Sequence, residues 1–398
     1  MRLTIRKLVV LAIGIVIALL IASCGSGTEA LTGAKTPSTE ATTRSAASST
    51  SGTLAVRGMT EADVLKALSA HTRKLAGEGE LSGAVLVAKD DRVLFRHAYG
   101  LADRTRGIPN TVGTRFRLGS MNKMFTAVAI LQLVEAGKVK LTAPLGTYLR
   151  DYPNREVATK VTIYQLLTHT GGTGDIFGPA FDAHREQLRS LADYVKLYGK
   201  RGLEFAPGSS WAYSNYGFIL LGVVIEKVSG QSYYDYVRAH IYAPARMTRT
   251  GSLPEDQAVP GRSMGYTEPP GTTGWVPNTN TLPYRGTSAG GGYSTVEDLA
   301  RFAHALLSHK LLSPHFTQLL TAGKVKTDTG TRYAYGFEDA RAADGSGWVG
   351  HGGGAPGMNG DLRIYPKSGY VVAVLANIDP PAAEQISEYL DPRLPTER

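Results

Sequence analysis

The chain runs to 398 residues, 42% of them hydrophobic and 19% charged, which excludes a wholly disordered or collagen-like protein and fits one large domain or two interlocked lobes. Its net charge is +9, three of it from Arg2, Arg6 and Lys7, and the other basic residues neither cluster nor interleave with aromatics as a nucleic-acid groove requires. The single cysteine, Cys24, excludes a disulfide within the chain and a cysteine-based metal cluster.

Taken in order, Arg2, Arg6 and Lys7 precede an uncharged, mostly apolar run over residues 8–22. It falls short of the roughly 20 residues a spanning helix needs and has the form of a signal-peptide core. Ile21-Ala22-Ser23-Cys24 closes it and resembles the bacterial lipobox. That resemblance implies removal of residues 1–23, lipidation of Cys24, and an extracytoplasmic protein anchored to a membrane of the cell envelope. Residues 24–57, rich in Ser, Thr, Ala and Gly, cannot bury enough surface to offset their ordering entropy and read as a tether.

Folded structure is expected over 58–398. Thr60 followed by Glu61 and Asp63 signals a helix start, with Val64, Leu65, Leu68 and Leu75 as its apolar stripe. Residues 84–89 and 92–97 read as a hairpin turning at Asp90-Asp91. Helices are expected over 121–136, 216–229 and 296–308, separated by loops rich in Gly, Pro and Thr, notably 251–292. Residues 361–365 and 370–376 flank the turn Pro366-Lys367-Ser368-Gly369. Strand pairs at both ends predict an α+β fold. An antiparallel sheet built from both chain ends (about 58–118 and 330–398) is flanked by helices, with a mostly helical lobe (about 119–329) inserted.

Three short motifs carry chemistry. Ser120-Met121-Asn122-Lys123 opens a helix, where residues three apart share a face, so a hydroxyl and an amine can enter one cleft. A lysine desolvated there can lose its proton and act as a base. The plain alternative is a helix cap and a solvated lysine. Tyr213-Ser214-Asn215 places a phenol and an amide two apart; its rival reading is an Asn helix cap, and Tyr152-Pro153-Asn154 has the same spacing. His351-Gly352-Gly353-Gly354 lets backbone N–H groups approach a ligand; the rival reading is a flexible loop, and His169-Thr170-Gly171 has the same shape. A competing serine lies in Gly286-Thr287-Ser288-Ala289-Gly290, the pattern of a nucleophile elbow, but no strand is expected before it and no helix directly after it. His304, His309 and His315 are spaced wrongly for ligands on one helix face, and no metal or organic cofactor is expected.

The order of the motifs, 93 residues from Ser120 to Tyr213 and 138 more to His351, resembles the serine β-lactamase and penicillin-binding-protein superfamily. The likeness is to its class C-like branch of β-lactamases, DD-carboxypeptidases, D-aminopeptidases and family VIII esterases. The surrounding words agree: Phe116-Arg117-Leu118-Gly119 before Ser120, Leu166-Leu167-Thr168-His169-Thr170 in mid-chain, Ala289-Gly290-Gly291-Gly292-Tyr293-Ser294 later. The resemblance implies Ser120 as acylated nucleophile, Lys123 and Tyr213 sharing proton transfer, and Asn215 holding Lys123 and the substrate amide. It implies His351 and Gly353 at the substrate, with the N–H groups of Ser120 and Gly354 as oxyanion hole. His351 stands where many relatives have lysine and attracts a carboxylate less strongly, so efficient β-lactam destruction is not expected. Peptide-like amides, cleaved in the manner of a carboxypeptidase or D-aminopeptidase, are the first expectation. Esters come second, and a non-catalytic lipoprotein that binds wall peptides is the alternative outside enzymology. The sequence sets no oligomeric state.

Overall fold

A computed structural model describes residues 59–396, apart from 270, 273, 279–280 and 328–329. The expected leader, Cys24 and tether lie outside the described residues. Thr60 caps helix α1 (Glu61–Gly77), its hydroxyl accepting from the Asp63 N–H. Val64, Leu68 and Leu75 are buried, and Leu65 packs at the margin of the same core. Strands β1 (Gly83–Lys89) and β2 (Arg92–Tyr99) follow, and Asp90 turns between them with φ +54°.

The expected union of the chain ends is present. Further along lie β3 (Phe116–Arg117), β4 (Tyr293–Ser294), β5 (Val325–Lys326), β6 (Arg332–Tyr333), β7 (Glu338–Asp339), β8 (Val349–Ala355), β9 (Met358–Ile364) and β10 (Tyr370–Ala376). The main sheet has the order β2-β1-β10-β9-β8-β7-β6-β5, and its neighbours are antiparallel. Gly83 faces Ala376 and Lys89 faces Tyr370. β3 and β4 pair separately.

Four more helices matter: α2 (Asn122–Glu135), α3 (Asn215–Ser229), α4 (Val296–Leu307) and α5 (Glu384–Leu390). α4 packs on one face of β1 and β10. α1 and α5 cover the other through Leu68, Ile386 and Leu390 against Val85, Val87, Val372 and Val374. Burial on both faces is why β1 and β10 read as unbroken apolar runs. α2 and α3 are buried nearly all round, as helices apolar on every side must be.

One local expectation changes. The glycine run 352–354, which reads as a loop ahead of the last strand pair, is itself strand, with Gly353 opposite Gly360 and Gly354 opposite Asn359. Glycine carries no strand preference of its own; pairing with β9 imposes the extended form.

Candidate active site

Ser120 sits in a short turn, Gly119–Met121, that feeds α2. Gly119 has φ +54°, and a Cβ there would lie 3.1 Å from the carbonyl carbon of Gly353 and from the nitrogen of Gly354. A Cβ on Gly353 would lie 2.2 Å from the Leu118 oxygen and 2.9 Å from the Ser120 nitrogen. The turn and β8 therefore touch backbone to backbone, an approach only glycine permits. Ser120 and Gly354 border one cavity of about 120 Å³, walled mainly by Ile176, Phe177, Phe181, Leu282 and Met358. Larger hollows exist elsewhere; the side chains, not the volume, mark this one.

Lys123 follows one helical turn after Ser120 and is 0% exposed. Its Nζ lies 3.1 Å from Ser120 Oγ and 2.7 Å from Asn215 Oδ1, and also meets the Ala289 carbonyl. Burial lowers its pKa to about 7, opposed by the negative charge of Asp175. A neutral amine has two N–H donors and one lone pair. The two carbonyl oxygens, of Asn215 and Ala289, can only accept, so they take both donors. The lone pair is then left facing the Ser120 hydroxyl.

Ser214, not Asn215, caps α3, accepting from the Gly217 N–H at 2.9 Å. This frees the Asn215 side chain, which bridges Lys123 and Asp175; its Nδ2 donates to Asp175 Oδ2 at 3.2 Å and its backbone N–H to Asp175 Oδ1 at 3.2 Å. The amide oxygen is taken by Lys123 and one of the two Nδ2 donors by Asp175, while Asn215 also borders the cavity, so its second N–H is left for a substrate. Tyr213 lies beneath Lys123, with Nζ 4.6 Å from its ring centre. Burial pushes the phenol well above its usual pKa, against an opposing interaction with Ser120. It is therefore a proton donor at neutral pH and not a phenolate base.

His351 differs most from expectation. It is 3% exposed and its pKa is lowered to about 3, by burial first and then by the charge of Lys123. Its Nδ1 meets the carbonyl of Gly352, which can only accept, so Nδ1 carries the proton. Nε2 then accepts from Tyr333, at 3.0 Å. A neutral imidazole with both nitrogens engaged is no charged partner for a carboxylate. The rival histidine, His169, enters the same cluster rather than competing with it. Its Nδ1 accepts from the Ser214 N–H at 3.1 Å, and its ring lies 4.3 Å from Tyr213 and 4.6 Å from Tyr333. Burial holds it neutral as well. His169 Nε2 and Trp211 Nε1 are buried with no hydrogen-bond partner.

The elbow-like serine is elsewhere in function. Ser288 is 0% exposed and its Oγ has no partner; a Cβ on Gly222 would lie 2.3 Å from it. No strand leads into it and no helix leaves it. Its loop serves the site through main-chain oxygens: Thr126 donates to the Ser288 carbonyl at 2.6 Å, and Lys123 to that of Ala289. Asp175 and Tyr333 were not legible as site residues in the sequence, because each lies in a segment with no motif. Among the described residues, no three His, Cys, Asp or Glu side chains are grouped to hold a metal ion.

A profile of the family described as Beta-lactamase matches residues 68–391. A penicillin binding protein from Bacillus halodurans is 34% identical, with a TM-score of 0.73 over 80% of this chain and 98% of that one. Esterase EstB of Burkholderia gladioli is 37% identical over 200 residues, 46% of this chain and 51% of the esterase. A D-stereospecific amidohydrolase from Streptomyces sp. is 25% identical, with a TM-score of 0.69 over 82% of this chain and 98% of that one. With Ser120 and Lys123 joined in the cleft, the chain belongs to the beta-lactamase family and is a serine hydrolase of that superfamily.

Proposed function

We propose that the protein cleaves amide or ester bonds through an acyl-enzyme on Ser120. The wiring of Lys123 carries this reading: a buried amine with its pKa lowered to about 7, whose remaining lone pair faces the Ser120 hydroxyl. Ser120 oxygen attacks the carbonyl as its proton passes to Lys123. The N–H groups of Ser120 and Gly354, which border the same cavity, receive the oxygen that becomes negative; a donor of this kind is worth about 10²–10³ in rate. Tyr213, held protonated, gives its proton to the leaving nitrogen or oxygen and regains one from Lys123. Water, losing its proton to Lys123, then releases the acyl group and restores Ser120.

Among the described residues, no charged side chain lines the cavity, and His351 is held neutral by burial. We therefore favour peptide-like amides with an apolar acyl residue, in the manner of an amidase or aminopeptidase, over a carboxypeptidase that grips a free carboxylate. The likeness to a D-stereospecific amidohydrolase and to a penicillin binding protein supports the amide. Esters are the second reading, supported by the same neutral walls and by the likeness to an esterase. The test is kcat/KM on D- and L-leucine p-nitroanilides, p-nitrophenyl butyrate, nitrocefin, and one peptide with its C-terminus either amidated or free. The amidated peptide should be the better substrate of the pair. A preference for the free carboxylate would reject this choice of substrate.

For location, the reading remains a lipid anchor on Cys24 and an extracytoplasmic enzyme. It rests on the apolar run at residues 8–22 and on the position of the single cysteine. Cys24→Ala should abolish labelling with a fatty acid; unchanged labelling would reject the anchor.

A further inference from the structure

A second concavity shares no lining residue with the cavity at Ser120. It is a groove of about 810 Å³ whose walls carry Arg106, Arg115, Arg117, Arg249 and Arg262. The fold holds these side chains close together. The backbones of Arg115 and Arg262 form a parallel bridge. Arg117 and Arg262 share the Glu255 carboxylate at 2.7 and 3.2 Å. Arg249 donates to the Gly113 carbonyl at 3.1 Å, and Arg115 donates to that of Pro260.

Carbonyl oxygens satisfy donors but leave the charge in place. Among the described residues, two carboxylates pair with these five guanidinium groups, Glu255 and, 3.9 Å from Arg106, Asp103. The groove is therefore left with positive charge in excess. Crowded like charges are relieved by one kind of occupant, an oxyanion. Guanidinium forks match phosphate oxygens in pairs. A tetrahedral, multiply charged phosphate can meet forks arriving from several directions, whereas Glu255 is already used by two of them and Asp103, on the groove wall, meets only Arg106.

We propose that this groove is a binding site for a phosphate group, separate from the site of hydrolysis. The test is calorimetric titration of the full chain with inorganic tripolyphosphate at low salt. Binding should be measurable and should weaken as salt is raised. The double variant Arg115→Gln/Arg249→Gln should weaken it by about tenfold or more, since each lost charge-assisted fork is among the stronger hydrogen bonds. Its turnover of a small ester should stay within about twofold of wild type, as neither arginine lines the Ser120 cavity. Arg106→Gln, whose side chain is 73% exposed, tests the same charge without disturbing packing and should weaken binding by roughly twofold.

Vesicles of phosphatidylglycerol, compared with phosphatidylcholine, separate two sources. Capture lost in the double variant assigns the phosphate to a lipid headgroup; tripolyphosphate binding without capture assigns it to a soluble compound. Either result upholds the site. No binding by wild type, binding untouched by both variants, or citrate binding as tightly as tripolyphosphate would overturn it.

Discussion

Ser120 and Ser288 both lie against the segment that carries Lys123, yet their surroundings are opposite. Ser120 stands where a turn meets β8, with an amine 3.1 Å from its hydroxyl and a cavity in front of it. Ser288 is sealed among side chains, its hydroxyl unpartnered and pressed toward Gly222. A nucleophile needs a base, room for a carbonyl and N–H groups beyond it. Ser120 has all three and Ser288 none, although Ser288 carries the better-known sequence pattern. What the Ser288 loop supplies is the pair of carbonyls that hold Thr126 and Lys123.

The contrast can be broken most sharply by removing the reacting pair. Ser120→Ala should cost on the order of 10⁴-fold or more in kcat/KM, and Lys123→Met on the order of 10³-fold, both measured on one activated ester. A mild effect of either would end the assignment. Gly353→Ala comes next. Its methyl would lie 2.2 Å from the Leu118 oxygen, so the turn must shift, and a loss of about 10²-fold is expected from displaced N–H donors. Full activity would mean that the contact between the turn and β8 is not needed.

Acidity sharpens the same comparison. With Lys123 as the proposed base, kcat/KM should fall about tenfold per unit below the lysine's pKa, which lies near 7. Stability has its own pH window. His351 has a folded pKa of about 3 against 6.5 unfolded, so the unfolded chain binds the proton more tightly between those values. Stability is whole above 6.5 and is lost as pH falls toward 3; His169, lowered in the same direction, adds to the loss. A melting temperature flat across that range would contradict both buried imidazoles. The smallest effect belongs to Ser288→Ala. Removing an unpartnered buried hydroxyl should leave turnover within about twofold and the melting temperature unchanged or raised.

Much of this was legible from residues alone. The β1–β2 hairpin, the last strand pair and the helix after Ser120 declared themselves through apolar period and turn residues, and Ser120–Lys123 through spacing on one helix face. Other parts were not, because they depend on partners distant in sequence. The glycines at 352–354 become strand only against β9. Asn215 is freed only because Ser214 takes the cap. His351 reads as a weak partner for a carboxylate until Tyr333 and the carbonyl of Gly352 occupy its nitrogens, and Asp175 is marked by nothing but its contact with Asn215.

The central claim is that Ser120, and no other serine, carries the acyl group. Peptide-level mass spectrometry after treatment with a fluorophosphonate tests it directly. A single adduct on Ser120, absent in Lys123→Met on the same timescale, is the predicted result. An adduct on Ser288, or none on the wild-type protein, would contradict it.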